Sequence, residues 1–242
     1  MIDIKLKYES SIFVNSGYLK TTPETISTLL NSFNDKGLLP STFQELTPIL
    51  QPETRVQLVS PDNQWILMFA SNRINIIKNQ IAVGDDLGTL DEFCSTTSEF
   101  LGRISKNFKV RANRLSLVPA YLAKEMTSAT LDDVYSKLFK APNFYQANSP
   151  FEWNWRSVAK IPLAFAGLSE QANIITVMSR VNGQMNDSGT LVPFDRVQLS
   201  FDMNTIPENT DYRFETEHIF EFYKAASNLH DQLYKEFEAF IK

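Results

Sequence analysis

The residues best able to bind or react are concentrated in one stretch, residues 151–165, which reads FEWNWRSVAKIPLAF. Trp153 and Trp155 alternate with polar neighbours such as Arg156, so a strand here directs both indole rings to one face. Aromatic rings next to cations can form a platform on which nucleic-acid bases stack. The same alternation is what a strand facing a hydrophobic core requires. We favour the core interpretation, and an exposed binding platform is the alternative.

A second candidate is a run of cations that leaves a predicted helix and enters the next strand. Its members are Arg103, Lys106, Lys109, Arg111 and Arg114. Cations at the end of a helix are favoured by the partial negative charge of its last carbonyls, which is a purely structural explanation. The alternative is a patch that binds nucleic acid or an acidic partner. The formal net charge of -5 argues against non-specific binding to phosphate backbones.

Catalytic and metal-ligating patterns are absent from the sequence. His218 and His230 lie on one predicted helix, too far apart along it to share a metal ion. Cys94 follows Phe93 in an amphipathic helical pattern and is typical of a small buried side chain. Neither a glycine-rich phosphate loop nor a nucleophile elbow occurs. We therefore predict no metal and no cofactor.

A non-enzymatic binding or assembly protein is the function that these observations favour. Many active sites carry no recognisable motif, so an enzyme with a site assembled from scattered polar residues is an alternative. The candidates for such a site are Asp62, Arg73, Arg114 and Glu125. A nucleic-acid-binding module that uses the basic run 103–114 is the other alternative.

Hydrophobic periodicity predicts the elements that must position these residues. Residues 2–8 alternate as a half-buried strand does, and the three prolines within 38–54 indicate an ordered loop. Four helices are indicated, beginning near Thr22, Thr89, Thr130 and Glu215. The predicted order is β-α-β-β-β-α-β-α-β-β-β-α. It favours an α+β fold, with helices packed on a mostly antiparallel sheet and a long C-terminal helix.

The chain of 242 residues is expected to form one globular unit with a large core. If it has two lobes, 1–140 and 150–242, the Pro- and Asn-rich stretch 141–150 is the expected boundary. RVQLVS at 55–60 is echoed by RVQLSF at 196–201, although ordinary strand composition produces such echoes easily. One cysteine, no N-terminal apolar segment and no long apolar run predict a cytoplasmic protein without a membrane span.

The C-terminal helix is apolar over more of its surface than packing on one sheet requires. We predict that a homodimer, the commonest oligomer, buries this surface. The residues expected at or near the seam are Phe220, Tyr234, Phe237 and Phe240. The alternative is that the N-terminal part of the same chain covers these side chains.

Several strand patterns together resemble a known family. They are the Arg-led strands NRINI and NRLSLV, the entry strand FEWNWR, the strand DRVQLSFDMNT and the histidine-containing terminal helix. These patterns are similar to those of a sporadically distributed, uncharacterised family of bacterial proteins of similar length, from about Arg55 onward. The family has no assigned catalytic residues. Its scattered occurrence implies an accessory protein of a mobile-element or defence system. The partner that we expect for a binding or assembly protein is another protein.

Overall fold

A single antiparallel sheet is the framework of the protein. The computed structural model describes residues 2–17, 19–46, 50–187 and 189–241. Its strands are β1 (Ile2–Val14), β2 (Leu39–Leu46), β3 (Pro52–Val59), β4 (Trp65–Ala70), β5 (Arg73–Asn79), β6 (Ala112–Ala123), β7 (Trp153–Phe165), β8 (Leu168–Asp187) and β9 (Thr190–Thr205). Its α-helices are α1 (Pro23–Phe33), α2 (Leu90–Ser105), α3 (Ser128–Leu138), α4 (Asn143–Ala147) and α5 (Thr216–Ile241).

The nine described strands follow the order β2-β3-β4-β5-β1-β6-β9-β8-β7. Every neighbouring pair is antiparallel. With the usual spacing of about 4.8 Å between strands, the sheet is about 38 Å wide. The predicted α+β fold with a long C-terminal helix is confirmed.

The two halves of the chain repeat one arrangement around the β1–β6 pair. Each half begins with a central strand, continues through a helix and several strands, and ends with a helix. From the centre outward, the strands are β1, β5, β4 and β3 on one side, with β2 added at its edge, and β6, β9, β8 and β7 on the other. In this arrangement the halves meet between α2 and β6, and the stretch 141–150, which contains α4, lies between α3 and β7. The echoed sequences lie in β3 and β9, which do not correspond in this arrangement.

The core lies between one face of the sheet and the helices. Ring contacts connect α2 to β1 through Phe93 and Tyr8, with centroids 5.5 Å apart, and α5 to β9 through Phe237 and Phe201, at 5.6 Å. The other face carries none of these helix contacts, and we call it the helix-free face. One row of opposed residues crosses this face through all nine strands and is polar at every position but one. Its members are Ser41, Gln57, Met68, Asn75, Ser11, Ser116, Asn204, Asn173 and Lys160.

Helices α2 and α5 pack side by side in opposite directions. Near the start of α2, the Ser227 hydroxyl donates a hydrogen bond of 2.5 Å to Asp91. Near its end, the ring of Phe220 lies beside Gly102. Because α5 has 26 residues and α2 has 16, α5 continues well past the first turn of α2. This mismatch in length opens a cleft beside the α2 N terminus.

Three local expectations require correction. The ordered loop predicted over 38–54 is wrong where β2 and the start of β3 form. The Pro40 ring is tolerated there because β2 is an edge strand, where one side of the backbone needs no partner. Residues 47–49 of that stretch lie outside the described residues. Helix α3 begins after Thr127 rather than Thr130, and α4 forms where no helix is predicted.

None of the helices in the described ranges is long and apolar enough to cross a membrane.

The start of α2 is fixed by a capping box, as the position of Thr89 predicts. The Thr89 hydroxyl accepts a hydrogen bond from the Glu92 N–H at 3.1 Å, and the Glu92 carboxylate accepts one from the Thr89 N–H at 2.7 Å. Gly88 precedes it with a φ of +70°, and a Cβ at that position would collide with the Glu92 carboxylate. The cap therefore holds the first turn of α2 in one place beside the sheet.

We expect Thr89→Ala to lower the free energy of unfolding by about 1 kcal/mol, because one helix N–H loses its acceptor. Denaturant titration measures the change. Ser95→Ala, at an exposed position inside the same helix, is the matched control and should be neutral or slightly stabilising. An unchanged stability of Thr89→Ala would show that the cap does not determine where α2 begins.

Candidate functional site

The aromatic stretch that opens β7 is divided between the core and the surface. Trp153 is buried, with its ring 5.9 Å from that of Phe139 on the α3 side. Trp155 is half-buried against Phe237 of α5, at 6.1 Å. Phe151 precedes the strand and is 73% exposed. The structure thus directs both tryptophans to the helix side of the sheet.

Most of the aromatic residues predicted at a dimer seam pack within the chain. Phe220 is half-buried in the contact with α2, and Tyr234 stacks on His230 with centroids 6.0 Å apart. Phe237 packs between Trp155 and β9. Phe240 differs, since it remains 39% exposed.

The basic run does not form one surface. Arg103 is held by Asp35 and Glu99, with nitrogen to oxygen distances of 2.5 and 2.8 Å. Arg114 lies on the helix-free face, where it covers the ring of Phe13 and donates to Asn204 at 3.0 Å. The remaining members, Lys106, Lys109 and Arg111, are exposed between these two positions.

The residues named for a scattered active site are also separated. Asp62 lies in the β3–β4 turn and Glu125 follows β6, and both of these positions are at one end of the strands. Arg73 begins β5 at the opposite end, close to Arg114 at the start of β6. The fold does not bring the four together.

A small apolar cleft lies at the corner where α3, α5 and β7 meet. Its volume is about 330 Å³, and its lining residues are Leu138, Trp155, Glu236, Phe237 and Phe240. The rings of Phe237 and Phe240 are 6.5 Å apart and leave the cleft open to solvent. We call it the corner cleft.

The strand that borders this cleft is an open edge of the sheet. β7 pairs with β8 along one side and is the last strand in the order. Residues 156–160 are exposed at five consecutive positions, and we call this segment the β7 edge. At every second residue of an edge strand, the backbone N–H and C=O point away from the sheet. These groups are available for pairing with an added strand.

The β7 edge is positively charged on the helix-free face. Arg156 and Lys160 both project there, on either side of Val158. Lys160 contacts Glu208 at 3.1 Å, and both side chains are more than half exposed. A hydrogen bond from its own backbone and the Lys160 ammonium lower the pKa of Glu208. Such an exposed pair is weak, so another carboxylate can compete for Lys160.

A second cleft of about 440 Å³ lies on the helix side, between α5, the α2 N terminus and the central strands. We call it the His230 cleft. The His230 Nε2 is 2.7 Å from the Tyr121 hydroxyl, and its Nδ1 is 3.1 Å from an Asp231 carboxylate oxygen. Because a carboxylate only accepts, Nδ1 carries the proton and Nε2 accepts from the phenol.

The titrating groups of the His230 cleft are held in their neutral forms. Burial lowers the pKa of His230, against the opposing effect of Asp231. Burial also raises the pKa of the Tyr8 and Tyr121 phenols. At neutral pH the cleft therefore presents a neutral imidazole and protonated phenols, which suit hydrogen bonding better than nucleophilic attack. No sequence pattern predicts this cluster, because Tyr121 and His230 are 109 residues apart.

No family model, curated protein or solved structure matches this chain. Its function is therefore inferred from the corner cleft, the β7 edge and the His230 cleft.

We expect His230 to make the protein less stable as the pH falls. Between about pH 6.5 and the lowered native pKa, the His230 imidazole binds a proton in the unfolded chain but not in the native state. The free energy of unfolding should then decrease by up to about 1.4 kcal/mol per pH unit. Denaturant titrations from about pH 7.5 to pH 5.5 measure this slope.

His230→Gln should flatten that slope, since glutamine does not titrate. Asn228→Gln, at an exposed position of the same helix, is the matched control and should keep the slope of the unmodified protein. Equal slopes for the protein and His230→Gln would mean that the buried imidazole does not control the pH dependence.

Proposed function

We propose that this is a non-enzymatic binding or assembly protein that holds an extended segment of a protein partner along the β7 edge. The observation that carries the proposal is the run of five exposed residues on a terminal strand, next to an open apolar cleft. Addition of a strand to a sheet edge is a recurring mode of peptide recognition.

Backbone pairing supplies the first part of the affinity. An added strand satisfies the outward N–H and C=O groups of the β7 edge, irrespective of the partner's side chains. Pro162 follows this segment and lacks an N–H donor. The backbone available for pairing is therefore most regular over residues 156–161.

Side chains of the partner supply the specificity, and they alternate between the two faces. On the helix side, a large apolar side chain beside Trp155 can enter the corner cleft, where Phe240 is still partly exposed. On the helix-free face, the partner residues before and after that apolar residue lie next to Arg156 and Lys160. Acidic residues complement these cations. The expected segment alternates carboxylates with apolar residues and has one large apolar anchor.

Charge argues against β7 of a second copy as the occupant. In an antiparallel pair centred on the β7 edge, Arg156 and Lys160 of both chains would lie close together on one face. Like charges opposed across a strand pair are destabilising. An acidic segment of another protein avoids this repulsion.

The resemblance described above extends the proposal to an accessory subunit of a bacterial mobile-element or defence system. That extension depends on the resemblance alone, whereas the β7 edge and the corner cleft support the binding role.

Selection from a display library of random twelve-residue peptides tests the proposal. We expect enriched peptides to be acidic at alternate positions, with one aromatic or large aliphatic anchor. Arg156→Glu combined with Lys160→Glu should weaken their binding about tenfold or more, because two attractions become repulsions. Amide hydrogen exchange should slow across the β7 edge in the complex.

Lys20→Glu combined with Lys106→Glu is the matched control, since it makes the same charge change at exposed positions in the other half. It should leave the affinity unchanged. Enriched peptides without acidic character, or slowed exchange confined to other strands, would contradict the proposal.

Light scattering distinguishes a separate partner from the predicted homodimer. If the corner cleft is reserved for another protein, the isolated chain should have the mass of one chain. Phe240→Asp should then change neither the mass nor the far-UV spectrum, because this ring is partly exposed. A dimer mass that Phe240→Asp converts to a monomer would instead identify a second copy as the occupant.

A further inference from the structure

The His230 cleft is a consequence of the unequal lengths of α2 and α5. Its floor is formed by β1 and β6, through Tyr8 and Tyr121. One wall is the first turn of α2, and the other is the part of α5 that continues past it. At about 440 Å³, it is large enough for a small organic ligand, since such pockets range from about 300 to 1,000 Å³.

Aromatic rings form a continuous lining in this cleft. The centroid of Tyr121 is 6.2 Å from that of Tyr8, 5.7 Å from that of His230 and 6.3 Å from that of Tyr234. Tyr234 is half-buried and presents its ring where the cleft opens. The electron-rich faces of such rings attract cations, and more strongly when water is excluded.

Two carboxylates lie among these rings. One oxygen of Asp91 accepts from the Ser227 hydroxyl, and one oxygen of Asp231 faces the His230 Nδ1. Both aspartates are exposed to the cleft, so their second oxygens can accept from a ligand. The burial that lowers the pKa of His230 keeps the imidazole from neutralising them.

The one cation lining the described part of the cleft is already occupied. The Lys5 ammonium donates to the Gly88 carbonyl at 2.7 Å and to Asp86 at 3.2 Å. The α2 N terminus is likewise occupied by its own capping box. An anionic ligand would therefore meet two carboxylates, and the Lys5 ammonium would have to leave the Gly88 carbonyl in order to bind it.

We propose that the His230 cleft binds a small organic cation, with a primary ammonium group hydrogen-bonded to Asp91 and Asp231 and the adjoining carbon skeleton packed on Tyr234. The ammonium group matches the site because it has three donors and a full charge. Binding leaves the ligand unchanged and uses no residue of the β7 edge. The described residues contain no group of three metal-ligating side chains, so a bare metal ion fits less well.

Calorimetric titration with 2-phenylethylamine tests this inference, and 2-phenylethanol is its neutral counterpart of the same shape. We expect the amine to bind at least about tenfold more tightly than the alcohol, since charged hydrogen bonds replace neutral ones. Asp91→Asn and Asp231→Asn should each remove most of that preference. Tyr234→Leu should lower the affinity for the amine several-fold and should change the affinity for the alcohol less.

Asp133→Asn is the matched control, because Asp133 is an exposed carboxylate on α3 outside the cleft. It should leave amine binding unchanged, as should the double variant Arg156→Glu with Lys160→Glu. Far-UV spectra and unfolding curves verify that each variant is folded. The inference is overturned if the amine does not bind at millimolar concentration, if the alcohol binds equally well, or if both folded aspartate variants retain the preference.

Discussion

The antiparallel pairing of β1 with β6 is the constraint on which the rest of the structure depends. The two strands run together from Ile2 opposite Ala123 to Val14 opposite Ala112 and join the two halves of the chain into one sheet. Because each half builds outward from its own central strand, this pairing also fixes the order of all the other strands. It places Tyr8 and Tyr121 side by side under the helices. The polar cluster of the His230 cleft exists only because of that register.

Departures from the repeated arrangement account for both candidate sites. If α5 were as short as α2, it would end near Asp231, so Tyr234 would not continue past Asp91 and the helix-side cleft would lose part of its wall. The same added turns carry Phe237 and Phe240 over β7, where they make the corner cleft. The second half also has one strand fewer than the first. β7 corresponds in position to β3, but β3 is covered by β2, whereas β7 is the last strand and forms an edge of the sheet. Differences between the halves, rather than the shared pattern, produce these surfaces.

The sequence predicted the features that local chemistry determines. The helix start at Thr22, and a second start at about Thr89, were predicted, because a cap involves a hydroxyl and backbone groups within three residues. The α+β class followed from the order of periodic segments. β2 was missed because Pro40 is a strand breaker everywhere except at an edge, and edges are set by the whole sheet. Likewise, no local pattern places His230 against Tyr121, since only the assembled fold brings them into contact.

The polar row on the helix-free face has a consequence for stoichiometry. A second sheet laid over the outer members of the row, Ser41, Gln57 and Lys160, would remove their polar groups from water without offering partners, so stacking of sheets is unfavourable. Growth is thereby restricted to the plane of the sheet. A partner strand added to the β7 edge would become the new edge strand of the sheet. Its outer backbone groups and side chains would belong to the partner protein. If a partner segment adds to the β7 edge as proposed, a one-to-one complex is the expected end point.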